Sequence, residues 1–414
     1  MALFPTSVDE IDFWDLDMFA KGDPHQAWNL LRQEAPVWFH DRPGGEKFWA
    51  VTRYEDAKAV LGNAKLFSSE RDGIVIRDDA QLANDWQSLI PTQPMIHTDP
   101  PRHAPLRRVI LHNFTPGAIA RLEEQIRSYS KKCLDEAAEK GEVDFVMDIA
   151  HRIPAAIALS LIGVPEDMWD RLAELEHKTL ASNDPEFSGD KSPTETANEA
   201  SMEMSMYFVE LVQNRQKEPG DDLLSQFLQG EVEGKKLPWE QVVAEAGLLL
   251  AGGLDTTRAA ASAGAMLPLL QHPDQMRALQ DDPSLIPTAI EEFVRWGSPI
   301  VHEARTVTED CEFLGQELHE GERVAVWPPS SNRDESQFPD PFVYDIKRQP
   351  NRHLGFAYGE HFCLGSHLAR LTLKVEFEEL FSRFKSFEQV GEASRVRSNF
   401  VGGLKHLPLK LTPK

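Results

Sequence analysis

The chain has 414 residues, of which 41% are hydrophobic, and its 67 acidic and 43 basic side chains give a net charge of −24. This length and apolar content suffice for one large core, so we expect a single domain over residues 1–414. The negative charge argues against nucleic acid and anionic membrane surfaces as partners. The most apolar run, Ala246 to Leu254, is too short for a membrane span.

Cysteine usage and the first residues bear on the compartment. Cys133, Cys311 and Cys363 are too few and too scattered for a disulfide framework, which suits a reducing cytoplasm. Residues 1–25 lack a basic segment followed by an apolar one, so no signal peptide is predicted. We therefore expect a soluble cytoplasmic protein.

The hydrophobic pattern predicts a mainly α-helical fold with a small β-rich lobe. The lobe begins with a helix over Ala27 to Glu34, strands over Val37 to Phe39 and Phe48 to Thr52, and a helix from Tyr54. From Asp99 onward most segments have a helical period, with proline and glycine between them. The body is therefore expected to be helical.

Two later segments interrupt this helical pattern. Ser182 to Thr196 is rich in Asn, Asp, Pro, Ser and Gly and predicts an exposed, mobile loop suited to be a lid. Glu312 to Trp327 alternates in polarity and predicts short strands that turn at Gly315 and Gly321. We expect the β-rich lobe at about 37–70 and 300–330 plus C-terminal strands, and the α-rich body at about 71–299 and 331–385.

His103 and Arg107 are the first residues in chain order with a chemical pattern. They are two cations one helical turn apart, near a predicted helix start after Asp99-Pro-Pro101. Such a pair is consistent with a solvated helix face or with a clamp for a ligand that bears carboxylates.

The segment Ala251-Gly-Gly-Leu-Asp-Thr-Thr257 lies inside the apolar run of a predicted long helix. Each glycine costs about 1 kcal/mol of helix stability relative to alanine. The two glycines either permit close helix packing or widen a groove in which Asp255 and Thr256 hold water and pass protons. Further along, Glu292 and Arg295 form an acid–base pair at i,i+3, which alone is an ordinary surface pair.

Cys363 lies in Phe356-Ala-Tyr-Gly-Glu-His-Phe-Cys-Leu-Gly365 and precedes a predicted helix. Glycines at 359 and 365 allow a tight turn and close approach of a flat ligand, while the first helical amides can stabilise a thiolate. By itself the cysteine is equally consistent with a metal ligand, a structural thiol or a nucleophile. Zinc is disfavoured because no second cysteine lies at ligand spacing.

In this order and at these separations, the four motifs resemble those of the cytochrome P-450 superfamily, specifically its soluble bacterial members. The resemblance extends from Phe48-Trp-Ala-Val-Thr52, through Asp99 to His103 and Phe114-Thr-Pro116, to Asn399-Phe-Val-Gly-Gly403. It implies the cytochrome P-450 fold, with haem b between the long central helix and the cysteine loop. Cysteine-ligated haem in this family favours O–O cleavage.

The resemblance also implies roles for single residues. Cys363 would be the axial thiolate of the haem iron, and Asp255 and Thr256 would deliver protons to oxygen. His361, two residues before the cysteine, is expected to be structural, and Ala357 replaces a glycine usual in the family, which is expected to stiffen the loop. The residues expected to shape the loop are Phe356, Gly359 and Gly365; those expected to bind the haem propionates are His103, Arg107, Arg305 and His353; those expected to brace the proximal side are Glu292, Arg295 and Arg348.

The implied reaction inserts one oxygen atom of O2 into a C–H bond of a hydrophobic small molecule, such as a terpenoid, a steroid or an alkyl or aromatic compound. The chain has no reductase domain, so electrons from NAD(P)H would arrive through a ferredoxin reductase and a ferredoxin. The cations expected to form a local docking patch for that partner are Arg102, Arg108, Arg370 and Lys374.

The substrate pocket is expected to be mainly apolar. Glu303 is an exception: on a predicted strand two residues before Arg305, it either pairs with Arg305 or binds a hydroxyl or amine of the substrate. Two rival functions are a peroxide-driven haem-thiolate oxygenase and a non-catalytic haem or ligand-binding sensor, and the Asp255-Thr256 pair argues against both. The expected pocket residues are Leu248, Gly252, Ile300, Val301, Glu303, Phe400 and Val401, with parts of 72–96 and 182–210.

Overall fold

The computed structural model describes residues 5–22, 24–83 and 92–414. It confirms the predicted mainly α-helical fold with a small β-rich lobe. Two segments, Val146–Ala150 and Ala260–Met266, are π-helical. The α-helices are α1 (Asp17–Ala20), α2 (His25–Glu34), α3 (Tyr54–Leu61), α4 (Asp79–Ala83), α5 (His103–Leu111), α6 (Pro116–Ala120), α7 (Glu123–Lys140), α8 (Arg152–Ile162), α9 (Trp169–Leu180), α10 (Pro185–Ser188), α11 (Pro193–Lys217), α12 (Leu223–Gln229), α13 (Trp239–Gly253), α14 (Asp255–Ala259), α15 (Leu267–Gln271), α16 (Pro273–Asp281), α17 (Ile286–Gly297), α18 (Pro328–Ser331) and α19 (Ser366–Arg383).

The strands lie near the two ends of the chain, apart from short pieces within the helical body. Those pieces, β4 (Glu142–Asp144), β5 (Glu231–Val232) and β6 (Lys235–Lys236), were not predicted, because strands of two or three residues are too short to leave an alternating pattern. The strands are β1 (Val37–His40), β2 (Phe48–Val51), β3 (Phe67–Ser68), β4 (Glu142–Asp144), β5 (Glu231–Val232), β6 (Lys235–Lys236), β7 (Glu303–Val307), β8 (Cys311–Phe313), β9 (Gln316–Leu318), β10 (Arg323–Val326), β11 (Phe384–Gln389), β12 (Ser394–Arg395), β13 (Leu404–His406) and β14 (Pro408–Pro413).

The largest sheet joins strands that are far apart in the sequence. Its order is β1-β2-β10-β7-β3, and only β2 and β10 are parallel neighbours within it. A second sheet has the order β11-β14-β4. Because β7 carries both Glu303 and Arg305 and is buried along its whole length, the large sheet holds these two charged residues inside the protein.

The central helix crosses the protein as α13, α14, the π-helical segment Ala260–Met266 and α15, with a break at Leu254. The π-helical segment packs closely on α17: a Cβ added at Gly264 would lie 2.1 Å from the carbonyl oxygen of Phe293. Only glycine permits this approach of two backbones. The central helix is thereby fixed against the helix that carries Glu292 and Arg295.

The segment Ser182 to Thr196 differs from the predicted exposed loop. It contains α10 and the start of α11, and the side chain of Asp184 is fully buried. The residues that predicted a loop are helix caps: Asp184 accepts from the amide of Glu186, and Ser192 accepts from the amide of Glu195. Asp, Ser and Pro favour helix starts as strongly as they favour loops, so composition alone could not separate the two.

No helix among residues 5–22, 24–83 and 92–414 combines the length and the apolar character that a membrane span requires.

Candidate active site

A cavity of about 990 Å³ lies between the central helix, the cysteine loop and the large sheet. Cys363, Thr256, His103, Arg107 and Glu303 all line it. The structure thus brings together residues that are up to 260 positions apart in the sequence. Other predicted site residues on its walls are Leu248, Gly252, Ile300, Phe356, Gly365, Phe400 and Val401.

The cysteine loop holds the sulfur of Cys363 toward this cavity. The amide of Cys363 donates to the carbonyl oxygen of Phe356 at 2.9 Å. Gly359 has φ +75°, and a Cβ there would lie 2.6 Å from the carbonyl oxygen of Leu61, so the turn requires glycine. Gly365 has φ −82° and needs no such freedom.

Burial raises the pKa of the Cys363 thiol, although the Gly365 amide, Arg107 and Arg370 act in the opposite direction. The protein by itself therefore favours the neutral thiol. A metal cation at the sulfur would reverse this preference, because a coordinating thiol is deprotonated outright.

Ala357 adopts a left-handed conformation with φ +59° in this loop. An L-residue other than glycine pays about 1–2 kcal/mol for that conformation. The glycine usual at this position in the resembled family would avoid the cost. In this protein the loop adopts the left-handed conformation at Ala357 in spite of its steric cost.

The two glycines of the central helix have different roles. A Cβ at Gly253 would lie 2.9 Å from the Cβ of Ala158, so this glycine permits close packing of α13 on α8. A Cβ at Gly252 would meet nothing within 4 Å, and this glycine lines the cavity. The hydroxyl of Thr256 donates to the carbonyl oxygen of Gly252 at 2.8 Å and so lies in the same groove. Asp255 points elsewhere, to Arg258 and His177, and does not line the cavity.

The histidine that faces the cavity from the cysteine loop is His361, and the predicted propionate role of His353 needs correction. His353 does not line the cavity: its Nε2 lies 3.2 Å from the Glu291 carboxylate, and its Nδ1 accepts from the Gly355 amide. The short 3₁₀ turn Gly359–His361 instead directs His361 inward. The available sequence signal is its position two residues before the cysteine, and the expected structural role of His361 therefore needs correction as well.

Both ring nitrogens of His361 are buried and have no hydrogen-bond partner among the described residues. Burial, followed by the charges of Arg305, His103 and Arg107, lowers its pKa to about 2. His103 is the nearest ring, with centroids 4.1 Å apart, and its own nitrogens lie 3.0 and 3.2 Å from the carbonyl oxygens of Met95 and Glu360. This side of the cavity is rich in positive charge and unpaired donors.

Arg305 and Glu303 form an ion pair of 3.2 Å on β7. Glu303 lines the cavity, whereas Arg305 lies behind it and donates to the carbonyl oxygen of Ala304. Sequence reasoning missed a further neighbour, His97, which also lines the cavity. Burial, then Arg305 and Arg323, lowers the pKa of His97 to about 4. Its segment carries no motif, so only the tertiary contacts reveal it.

The residues present fit a haem group. A buried polar atom without a partner needs an explanation, and the two nitrogens of His361 are such atoms on the cavity wall, where a ligand would supply one. Propionate carboxylates would accept from the protonated ring nitrogen of His361 and would be attracted by the neighbouring cations Arg107 and Arg305. Gly252 leaves open space for a flat ring, and the sulfur of Cys363 faces the same cavity. The residues that would hold the haem are Cys363, through its sulfur, and His361, His103 and Arg107, through their side-chain nitrogens.

Glu292, Arg295 and Arg348 meet in the protein interior, as predicted for the brace. The carboxylate of Glu292 lies 2.7 Å from Arg295 and 3.3 Å from Arg348. Arg295 also donates to the carbonyl oxygens of Asn332 and Pro341, each at 2.9 Å. This network ties α17 to the segment that leads into the cysteine loop.

One other pocket prediction needs correction: Val301 is 5% exposed and packs with Phe13 and Trp327 instead of lining the cavity. Parts of the two predicted ranges do line it. They are Ile74 to Gln81 and Pro94 to Ile96 from 72–96, of which 84–91 lie outside the described residues, and Ser182 and Asn183 from 182–210.

The expected basic docking patch is largely neutralised. Arg102 pairs with Glu70, Arg370 forms two bonds to Glu291, and Lys374 lies 3.5 Å from both Glu123 and Glu378. Arg108, which is exposed, is the one of the four that has no ion pair among the described residues. Cations paired with carboxylates add little net field at a surface.

Comparison with known proteins places these residues in a family. The family model described as Cytochrome P-450 matches residues 13–412. Linalool 8-monooxygenase of Pseudomonas putida is 35% identical, covering 98% of this chain and 100% of that protein. Methyl-branched lipid omega-hydroxylase of Mycobacterium tuberculosis is 34% identical, covering 97% and 94%.

The solved structures agree with this assignment. Mycobacterium marinum cytochrome P-450 CYP268A2, in complex with pseudoionone, has a TM-score of 0.89 and 33% identity and covers 98% of this chain and 99% of its own. Haem b with a cysteine thiolate ligand is the standard cofactor of the family, and a cysteine at the corresponding turn faces the cavity here. This chain therefore belongs to the cytochrome P-450 family and is a haem-thiolate monooxygenase.

Proposed function

We propose that this protein inserts oxygen from O2 into a C–H bond of a terpenoid, steroid or alkyl-chain substrate bound in the 990 Å³ cavity. The observation that carries the proposal is the common cavity, which receives the Cys363 sulfur, the Thr256 hydroxyl and apolar walls. Relatives named for linalool and for methyl-branched lipids support this substrate class. When bound, haem supplies the activation of O2 and the insertion of oxygen.

The protein residues orient the substrate, exclude water and manage protons. Leu248, Ile300, Phe400 and Val401 offer an apolar surface on which a hydrophobic substrate displaces water. Thr256 is held by its bond to Gly252, so its hydroxyl stays in the groove of the central helix. We propose that the Thr256 hydroxyl makes the last hydrogen bond in the proton path to O2. Asp255 is the acid that precedes Thr256 in this path.

We propose that Glu303 binds a polar group of the substrate while it remains paired with Arg305. The pair leaves one carboxylate oxygen without an ion-pair partner, and the side chain lines the cavity. We expect Glu303→Gln to weaken binding of hydroxylated substrates about tenfold or more and to leave their deoxy analogues unaffected. Substrate titrations followed by the haem Soret shift measure this. Equal changes in the affinity for a hydroxylated substrate and for its deoxy analogue would reject substrate binding by Glu303. They would leave only its structural ion pair with Arg305.

Electrons are proposed to come from NAD(P)H through a flavin reductase and a ferredoxin, in the cytoplasm. The free cysteines Cys133, Cys311 and Cys363 fit a reducing compartment. Arg108, exposed on α5 beside the motif residue Arg107, is the cation we assign to contact with an acidic partner.

The test is a reconstitution with spectroscopy. We expect the reduced carbon monoxide complex of the holoenzyme to show the long-wavelength Soret band of thiolate ligation, and Cys363→His to lose it. Cys311→Ser, a change at a partly exposed thiol, serves as the matched control and should keep the band. Product formation with ferredoxin, reductase and NADPH would support the electron route. Product formation with hydrogen peroxide alone would favour the peroxide-driven alternative, and binding without turnover in either system would favour the sensor.

A further inference from the structure

A row of buried side chains leads from Asp255 away from the cavity. Nδ1 of His177 lies 3.0 Å from one carboxylate oxygen of Asp255 and 3.2 Å from the other. Nε2 of the same ring lies 3.1 Å from Nδ1 of His151. All three side chains are buried, with exposed fractions of 2% for Asp255, 5% for His177 and 7% for His151, so His151 is the member of the row with the most solvent contact.

Three separate elements fix this geometry. Asp255 begins α14, His177 lies near the end of α9, and His151 joins the π-helical segment Val146–Ala150 to α8. Phe187 stacks on His177 with ring centroids 5.5 Å apart and an interplanar angle of 20°. Both rings are therefore held by packing as well as by hydrogen bonds.

The charged groups around the row decide its protonation. Arg258 lies 3.0 Å from Asp255 and also donates to the carbonyl oxygen of Leu404. Burial raises the pKa of Asp255, but Arg258, His177 and His151 outweigh it and hold the pKa below its usual range. Burial, then His177, Arg258 and Arg152, lowers the pKa of His151 to about 3.

One further acid faces the same region. Glu176 is 1% exposed, and burial and the charge of Asp255 raise its pKa well above the ordinary value. At neutral pH Asp255 is therefore ionised, whereas His151 is neutral.

These charge states set the direction of every hydrogen bond. An ionised Asp255 requires His177 to donate from Nδ1; in the tautomer with one ring proton, Nε2 of His177 is then an acceptor. His151 then donates from its Nδ1, and its own Nε2 keeps a free lone pair. All donors point toward Asp255, which is the arrangement that inward proton transfer requires.

We propose that His151 and His177 form a relay that carries protons from the protein surface to Asp255 and so reprotonates its carboxylate during turnover. A proton binds Nε2 of His151, the Nδ1 proton of His151 moves to Nε2 of His177, and the Nδ1 proton of His177 moves to a carboxylate oxygen of Asp255. One proton enters, one carboxylic acid forms and no electrons move; rotation of the two rings restores the starting tautomers. The relay rests on the role proposed above for Asp255 and Thr256.

A metal ion is the main alternative occupant of this cluster. The three side chains offer ligand atoms that all lie within 4.8 Å of one another. However, the guanidinium of Arg258 lies 3.0 Å from a carboxylate oxygen of Asp255, and a cation there repels a divalent ion. Hydrogen-bond distances already join all three groups, so the relay explains the contacts without a further ion.

The first test measures turnover in variants that keep the hydrogen bonds but cannot relay. Glutamine can donate to Asp255, but its amide does not accept and release protons in this range. We expect His177→Gln and His151→Gln to lower the rate of product formation at least about tenfold and to raise the solvent isotope effect, with substrate binding unchanged. His40→Gln, at a fully buried histidine bonded to the Phe13 amide, is the matched control and should change neither quantity.

The second test needs no variant and no turnover. In the ferrous carbon monoxide form, ¹⁵N-histidine spectra should show His177 and His151 neutral and protonated on Nδ1 at neutral pH. Nε2 tautomers, imidazolium rings, or glutamine variants with the wild-type rate and isotope effect would overturn the relay. Shifts of both ring signals by equimolar Zn²⁺ would replace it with a metal site. A protein that lacks oxygenase activity but has these tautomers would contradict the proposed function instead.

Discussion

Replacement of Glu292 by alanine is expected to lower the free energy of unfolding by about 3–5 kcal/mol. The carboxylate is fully buried and accepts two bonds of 2.7 Å from Arg295, one from the amide of Asp345 and one from Asn351, the last two at 3.0 Å each. Its loss leaves the guanidinium groups of Arg295 and Arg348 buried without a counter-charge. Urea unfolding followed by circular dichroism measures the change.

Glu55→Ala is the matched control for this prediction. Glu55 and Lys58 have the same i,i+3 spacing and a distance of 3.0 Å, but the Glu55 side chain is 69% exposed. Solvent screens such a pair, so no measurable loss of stability is expected. Comparable losses in the two variants would show that burial of the Glu292 network contributes nothing special to the stability of the fold.

Replacement of Glu376 by glutamine is expected to stabilise the protein at alkaline pH. Glu376 lies on α19, is fully buried, and neither carboxylate oxygen has a hydrogen-bond partner in the described part of the chain. Burial raises its pKa to about 8, far above the value of 4.5 in an unfolded chain. The ionised form is therefore costly in the folded state only.

The pH dependence follows from this shift. Between about pH 4.5 and 8 the folded state keeps a proton that the unfolded state has lost, so stability falls as pH rises, by about 1.4 kcal/mol per unit. Glu376→Gln should match the wild type near pH 4.5 and exceed it by on the order of 4 kcal/mol above pH 8. Urea titrations at several pH values measure this difference. Glu388→Gln, at an exposed acid on β11, should run parallel to the wild type, and a parallel curve for Glu376→Gln would refute the prediction.

Local residue chemistry predicted much of the architecture. The elements of the first lobe that were predicted with bounds appear close to those bounds, as at Val37–His40 and Phe48–Val51, because the hydrophobic period reflects which face each element buries. The Gly359 turn was also predictable, since a tight turn with positive φ selects glycine. Segment 182–196 shows the limit: the same residues that favour loops also cap helices.

The candidate site likewise contains residues that the sequence identifies and residues that only the structure reveals. Cys363, Thr256 and Gly252 were identifiable because their motifs are local in the chain and their residue types carry the chemistry. The choice of His361 over His353 was not, because both histidines lie close to the cysteine in sequence and only the backbone turn decides which one enters the cavity. Val301 likewise turns to the apolar cluster around Trp327, although its neighbour Ile300 lines the cavity.

The sequence by itself predicted Cys363 as the haem ligand, the helix groove and the family, since a cysteine in a glycine turn and an acid–alcohol pair are properties of short segments. Only the tertiary structure joined His151, His177 and Asp255, which are 26 and 78 residues apart, into one buried row. Hydrogen bonds between distant segments depend on how three helical elements pack, and no local pattern records that packing. The same holds for the unpaired nitrogens of His361, which become informative only once burial removes water as their partner.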